Sequence, residues 1–395
     1  MISADLAPER LLAGPGPASL YVHVPFCEAK CSYCDFYSVP QGGVTGSRYV
    51  EALQAEARAR TPAGFAPRTV FVGGGTPTAL EDGEFARMLD LVREITSPGG
   101  RLLEWTVEAN PGSLTAAKAR ALADAGVTRI SLGVQSFDDA VLRSVGRVHD
   151  ARTARDAVRI ARGCGVRDVS LDLLFAIPGQ GLASFENDLS EAVALGTDHV
   201  SAYALLYEHG TAMERRRAAG LVEREEEDIE LTMMRRAREV LGAAGLTRYE
   251  VSNFARPGRE CLHNVNYWSN GEYLGLGASA ARYLGGERRT NVASWRDYEA
   301  AVLAGRDAAS YSERLEPGLA MGEEIMLRLR KADGMSLTAL TRRWGLDASA
   351  RYAALISRFA SAGLLDVTDA GDRVAFTERG LEVADGVLAE FLVVE

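Results

Sequence analysis

At 395 residues the chain is long enough for one large domain or two ordinary ones with a substantial core. Hydrophobic residues make up 47% and charged residues 25%, the balance of a globular protein in water, and a formal net charge of −10 argues against general nucleic-acid binding. No run of about 18 apolar residues suggests a membrane span, and residues 1–18 lack the apolar stretch of a signal peptide. Five cysteines, three of them clustered, point to metal ligation in a reducing, cytoplasmic setting rather than to a disulfide framework.

Residues 1–18 read as a short tail. A first strand (SLYVHV) then runs into a cysteine-rich loop, and a helix follows from Arg48 to Arg60. The alternation repeats through strands at Thr69–Val72, Leu102–Glu108, Thr128–Val134, Asp168–Leu174 and His199–Leu205. Helices lie between them, near Asp82–Ile95, Leu114–Ala125, Ala151–Ala161 and Phe185–Ala194. Six βα units with near-continuous apolar strands predict a parallel sheet buried on both faces. Right-handed crossovers would curl it into a barrel or partial barrel; a doubly wound sheet needs a reversal of strand order that sequence cannot display. The acidic run Glu223–Asp228 starts a long helix, favoured by its dipole, that reaches about Leu241. A strand at Tyr249–Asn253 leads into a polar and aromatic loop, Arg256–Tyr283. Beyond about Glu316, three helices, a hairpin turning at Asp369–Asp372 and a last helix resemble a winged-helix module. On an acidic chain that module suits a packing or partner surface better than DNA. The expected organisation is a tail (1–18), a barrel (19–255), a linking segment (256–315) and the winged-helix-like region (316–395).

The chemistry concentrates at strand ends. Cys27, Cys31 and Cys34 form C-x3-C-x2-C directly after the first strand. Thiolates are the ligands iron–sulfur clusters prefer, and three of them leave one iron of a four-iron cluster open. The alternative is zinc with His23 as fourth ligand. Gly73, Gly74 and Gly75, followed by Thr76, close the second strand, where missing side chains allow close backbone approach. Glu108 ends the third strand and Gln135 the fourth; Arg147 follows on the connection, and Asp172 lies inside the fifth apolar run. A carboxylate buried there needs a bonded partner, either a ligand or a salt bridge to Arg147. Cys164, in a helix-to-strand turn, reads as a small buried hydrophobe. Gly275 to Ser279 reads as another close-approach loop.

Taken together, YVHVPFC with its two further cysteines, GGGTPT, EANPG, GVQSFDDAVLRSVGRVH and DLLFAIPGQ resemble one branch of the radical S-adenosylmethionine (SAM) proteins. That branch holds the HemW family of haem chaperones and its relative, the oxygen-independent coproporphyrinogen III oxidases, and the resemblance runs from about residue 18 to the C-terminus. It implies an α/β fold, a partial (β/α)6 radical SAM barrel with a C-terminal winged-helix-like helical domain. It also implies a [4Fe–4S] cluster on Cys27, Cys31 and Cys34, whose open iron chelates SAM. Tyr21, Tyr33, Gly74, Gly75, Thr76, Glu108, Gln135, Arg147 and Asp172 would line the SAM site. Phe36 stands where the oxidases carry a further cysteine, and only 20 residues precede Tyr21, where the oxidases have a longer segment. Cys261 to Trp268 contains HNxxYW, which in the HemW family is thought to bind haem; His263, Asn264, Tyr267 and Trp268 would then be haem residues, with Cys261 a candidate second ligand. The resemblance therefore implies a haem chaperone serving haem-requiring respiratory proteins. Oxidative decarboxylation of coproporphyrinogen III is the alternative. No nucleic-acid partner is expected; peripheral membrane contact through partners and a homodimer are both compatible with the sequence.

Overall fold

The computed structural model describes residues 19–40, 46–97 and 101–392, so the expected tail at 1–18 lies outside it. Six parallel strands follow one another in the sheet: β1 (Ser19–Val24), β2 (Thr69–Gly74), β3 (Glu104–Ala109), β4 (Arg129–Gln135), β5 (Asp168–Phe175) and β6 (His199–Ala204). Helices Ser47–Arg60, Asp82–Thr96, Ala116–Ala125, Ala151–Gly163, Leu182–Ala194 and Glu227–Ala243 cover the outside. The order never reverses and the two ends of the row do not pair, which makes a partial barrel rather than a doubly wound sheet. Among the described residues no helix is long and apolar enough to cross a membrane.

The strands are buried on both faces as expected, but their near-continuous apolar character needs correction. Residues alternate: Leu20, Val22, Val70, Val72, Ile130 and Leu132 face the helices in the main core. Their neighbours Ser19, Thr69, Arg129 and Ser170 are just as buried but polar. These polar groups bond to one another across the strands. Ser19 Oγ lies 2.7 Å from Thr69 Oγ1 and Ser170 Oγ 2.8 Å from His199 Nδ1. Arg129 donates to Glu104 at 3.3 Å. The barrel interior is thus a hydrogen-bonded polar column, tolerable because most of its members are paired.

The region after β6 departs most from expectation. The strand expected at Tyr249–Asn253 is instead the turn of a small hairpin, Thr247–Arg248 against Asn253–Ala255. The Tyr249 hydroxyl bonds His199 Nε2 at 2.9 Å, and the Glu250 backbone forms an isolated antiparallel bridge with that of Lys331. Within the expected loop Arg256–Tyr283 lie a two-turn helix, Leu262–Trp268, and a seventh parallel strand, β7 (Tyr273–Leu276), paired with β1 from Ser19↔Tyr273 to Val22↔Leu276. Three antiparallel strands, Ala281–Leu284, Glu287–Asn291 and Ala309–Glu313, extend the sheet beyond β7.

Helices Pro317–Arg328, Leu337–Trp344 and Ala348–Ser361 gather with the hairpin Leu365–Thr368/Arg373–Phe376 around a core of their own that includes Met321, Ile325, Tyr352 and Phe391. The hairpin turn uses left-handed Asp369 and Ala370. Arg235–Glu382 and Arg248–Glu378 ion pairs fasten this winged-helix-like domain to the barrel.

Candidate functional site

The loop after β1 is closed at its base by the pairing of Phe26–Cys27 with Val39–Pro40. All three of its cysteines are half-buried. Each of two thiols has a donor: Thr76 Oγ1 lies 3.5 Å from Cys27 Sγ and Arg147 Nη1 3.2 Å from Cys31 Sγ. Burial pushes the Cys27 thiol up and the Cys34 thiol to about 11, so proton loss there calls for a cation or metal. His23 takes no part, because its ring nitrogens bond Tyr21 Oη at 2.9 Å and the Tyr37 carbonyl at 3.0 Å. A zinc site completed by His23 is thereby ruled out in this arrangement, and the three soft donors on one loop fit an iron–sulfur cluster. The loop rests on the glycine turn that ends β2. A Cβ on Gly75 would come within 2.7 Å of the Val24 and Phe26 carbonyls, and one on Gly74, at φ +97°, within 2.3 Å of the His23 ring.

Below the loop, most of the expected SAM-site residues meet inside the barrel. Gly74 N–H donates to Glu108 at 3.1 Å, and Asp172 accepts from Ser131 at 3.4 Å. Tyr203 donates to Gln135, whose backbone is left-handed at φ 69°, a strained conformation of the kind found at functional sites. Burial, with the Asp172 charge added, lifts the Glu108 carboxyl to about 8 against one backbone donor. Burial also lifts Asp172 to about 6, opposed by the hydroxyls of Ser201 and Ser131 and by Arg147. The salt bridge imagined between Asp172 and Arg147 is absent from the ion pairs of the described residues. Arg147 instead spans Cys31, Asn110 (2.6 Å) and the Gly133 carbonyl, and its Nε is buried without a partner. Two raised carboxylates and an orphaned guanidinium N–H in one chamber suit a zwitterionic ligand with hydroxyls, so the residues present fit SAM. Tyr33 packs, with Tyr203, against a small apolar cluster that includes Val141, Val145 and Met213, and its hydroxyl pKa is raised by burial and the Cys31 charge and opposed by Arg147. Asn110 was missed: it joins Thr76 (2.9 Å) to Arg147 and sits two residues after Glu108 in EANPG. Tyr203 was also missed, though it shares the inward period-two register of His199 and Ser201.

The HNxxYW segment lies at the other end. Helix Leu262–Trp268 packs beneath the first residues of β2 and β3, about 17 Å from the glycine turn at 3.3 Å per residue. Glu104 accepts from the backbone N–H groups of Leu262 and His263, both at 3.0 Å, and Cys261 Sγ lies 3.4 Å from the same carboxylate. Arg129 links Glu104 to Asp168, forming a buried ionic floor. His263 has no exposed surface, and both its nitrogens are bonded, Nδ1 to Thr69 Oγ1 at 3.0 Å and Nε2 to Tyr267 Oη at 2.9 Å. Its ring lies against Phe71, and burial lowers its pKa to about 3. Asn264 is half-buried on the same helix, and Trp268 meets the Arg330 guanidinium. So placed, these residues do not fit haem: no imidazole nitrogen is free for iron.

A polar-lined partial barrel with three cysteines on the loop after its first strand defines a radical SAM protein. The Radical SAM superfamily pattern matches residues 21–192, and the HemN C-terminal domain pattern residues 317–383. The chain belongs to the HemW family within that superfamily. It is 33% identical to the heme chaperone HemW of Bacillus subtilis over 95% of this chain and 99% of that one. To the heme chaperone HemW of Mycobacterium tuberculosis H37Rv it is 38% identical, over 96% of each chain. Its fold is similar to that of Escherichia coli coproporphyrinogen III oxidase, with a TM-score of 0.82 over 99% of this chain and 94% of that one; at 23% identity the likeness concerns the fold.

Proposed function

We propose that this protein is a cytoplasmic haem chaperone, which binds haem and a SAM-accessible [4Fe–4S] cluster and delivers haem to respiratory haem proteins. Membership of the HemW family supports the assignment. The observation that carries it against the oxidase reading is Phe36, two residues after Cys34: where an oxidase would place another thiol there is a phenyl ring, 63% exposed. Cys27, Cys31 and Cys34 would hold the cluster. Glu108, Asp172, Gln135, Arg147 and Tyr21, with Gly74, Gly75, Thr76 and Tyr33 at the rim, would hold SAM. The cluster's contribution when bound is an iron open to the SAM amino and carboxylate groups and an electron for it. A haem role for His263, Asn264, Tyr267 and Trp268 requires the floor helix to leave Glu104 and Thr69. Anaerobic reconstitution followed by parallel assays of haem binding and coproporphyrinogen turnover tests the function. Haem binding without turnover is expected, and formation of protoporphyrinogen would overturn it.

A further inference from the structure

Three side chains form one continuous run of hydrogen bonds between two of the clustered thiols. Arg147 Nη1 lies 3.2 Å from Cys31 Sγ, and Arg147 Nη2 donates to Asn110 Oδ1 at 2.6 Å. Asn110 Nδ2 in turn donates to Thr76 Oγ1 at 2.9 Å, and Thr76 Oγ1 lies 3.5 Å from Cys27 Sγ. The direction of every proton follows from the chemistry. A guanidinium only donates, so the Asn110 atom facing Arg147 is its carbonyl oxygen, and the amide N–H groups face Thr76. Thr76 Oγ1 accepts from that amide, which leaves its own hydrogen for Cys27. Both ends of the run therefore point donors at sulfur, and the Arg147 charge polarises the bonds between them.

A further hydroxyl faces Cys27. Ser38 is 5% exposed, and its Oγ is sealed from solvent without a hydrogen-bond partner of its own. A buried hydroxyl in that state costs free energy unless some acceptor takes its hydrogen. Cys27 pairs with Pro40 where the cysteine loop closes. Ser38, two residues before Pro40, is therefore on the same face as the thiol, at the diagonal position of the ladder. Burial raises the Cys27 thiol, and the Thr76 and Ser38 hydroxyls oppose it. Both hydroxyls thus favour the thiolate, the form in which cysteine ligates metal. Ser38 gains its missing acceptor once Cys27 carries negative charge.

The local fold does not need the Asn110 side chain. The turn it begins is closed by its backbone carbonyl, which accepts from Ser113 N–H at 3.1 Å and Leu114 N–H at 3.2 Å. Arg147 has a second anchor in the Gly133 carbonyl. What the Asn110 amide adds is aim, because it decides where the Thr76 hydrogen points and where the guanidinium rests. Hydrogen bonds to the sulfurs of an iron–sulfur cluster are among the features that set its reduction potential. An added electron increases the charge on those sulfurs, so donors there stabilise the reduced form and raise the potential. Outer-shell donors of this kind also hold the ligating side chains in orientation.

We propose that Asn110 and Ser38 are positioning residues for the iron–sulfur cluster, which set hydroxyl and guanidinium donors on the Cys27 and Cys31 thiolates and raise the cluster's reduction potential. The inference rests on the cluster part of the proposed function and is independent of the haem assignment. Asn110 acts through its neighbours, holding the Thr76 hydroxyl on Cys27 and the Arg147 guanidinium on Cys31. Ser38 acts on Cys27 directly. Two residues more than 70 positions apart, neither of them a cluster ligand, thereby move one potential in one direction.

The test is a redox titration of the anaerobically reconstituted full-length protein, poised with dithionite without SAM and read by electron paramagnetic resonance. It compares the parent with Asn110→Ala, Ser38→Ala and Thr76→Val. Each variant should hold parental iron and sulfide yet reduce at a more negative potential. Asn110→Ala should shift the reduction equilibrium about tenfold, equivalent to about 59 mV for a one-electron couple. Thr76→Ser keeps the hydroxyl and should keep the parental potential. Ser113→Ala is the structural control, because its hydroxyl bonds Thr78 and the Asn110 carbonyl instead of a thiol. It too should keep the parental potential. Parental potentials in Asn110→Ala and Ser38→Ala would overturn the proposal. A shift in Ser113→Ala as large as that in Asn110→Ala would mean that any loosening of the site moves the potential, and would overturn it equally. Should Asn110→Ala fail to fold or load, Ser38→Ala and Thr76→Val carry the same expectation, and parental potentials in both would overturn it. A parent that takes up no four-iron cluster would be a different failure, that of the cluster reading itself.

Discussion

Glu108 and Asp172 are the residues whose state depends most on what occupies the chamber. Both carboxyls are raised by burial, Glu108 to about 8 and Asp172 to about 6, well above unfolded-chain values. A raised carboxyl pKa means that the folded protein holds its proton where the unfolded chain has released it. In the metal-free, SAM-free protein the contribution of these two groups to stability should therefore be fully present below about pH 4, where both states are protonated, and be lost as pH rises through the window from the unfolded values to about 8. Glu108→Gln should flatten the upper part of that fall and be more stable than the parent at pH 8, measured by thermal melts across pH; a parental slope would contradict it. Cys164 belongs to the opposite category. It is half-buried against the core, its thiol bonding the Ala161 carbonyl at 3.0 Å, a partial departure from the buried hydrophobe expected. Cys164→Ser should leave iron and sulfide content unchanged after reconstitution, whereas Cys31→Ser should abolish stable loading.

At the scale of elements, the floor helix and the cysteine loop are held by long-range contacts. Helix Leu262–Trp268 has no side-chain cap, and its first N–H groups are satisfied by Glu104, 158 residues earlier. Glu104→Gln should destabilise the fold by roughly 3–5 kcal/mol, because Arg129 would be left buried with a weakened partner set. His263→Ala removes a buried ring bonded at both nitrogens and should cost about 2–4 kcal/mol in denaturant unfolding. A change below about 1 kcal/mol would mean that the floor is loose. The cysteine loop is braced from behind by Trp295, whose ring packs edge-on to Phe26 and whose backbone N–H donates to Tyr37 Oη at 2.9 Å. Trp295→Ala should lose its cluster in air sooner than the parent, followed by the decay of cluster absorbance.

These long-range dependencies explain what was and was not legible in the sequence. The cysteine spacing, the glycine turn and the carboxylates at strand ends are local patterns, and the positions they mark come together in space. The polar interior was also in plain view, as Arg129, Ser131, Gly133 and Gln135 alternating through β4, but Ile, Leu and Val between them masked it as an apolar run. β7 was hidden because YLGL is short and flanked by glycine; it becomes a strand only by pairing with β1, some 250 residues upstream. The floor helix carries two asparagines and no amphipathic period, so nothing local announces it.

Over the whole molecule, two cores meet across the floor helix. The barrel supplies Glu104 and Thr69 from one side. From the other, the winged-helix-like domain sends Arg328 to the Ser269 carbonyl at 3.2 Å, Arg343 to the Asn270 carbonyl at 2.8 Å and Arg330 over Trp268. Cations at the C-terminal end of a helix favour its dipole, so the second domain clamps the HNxxYW segment as it stands. The cysteine loop, with Arg147 on Cys31 and Glu108 on the glycine turn, lies at the opposite end of the same strands. Haem transfer from the reconstituted protein to an apo-haem acceptor, followed by absorbance beside a coproporphyrinogen assay on the same preparation, tests the chaperone assignment most directly. Stoichiometric haem binding and transfer without decarboxylation is the predicted result; conversion of coproporphyrinogen to protoporphyrinogen would contradict it.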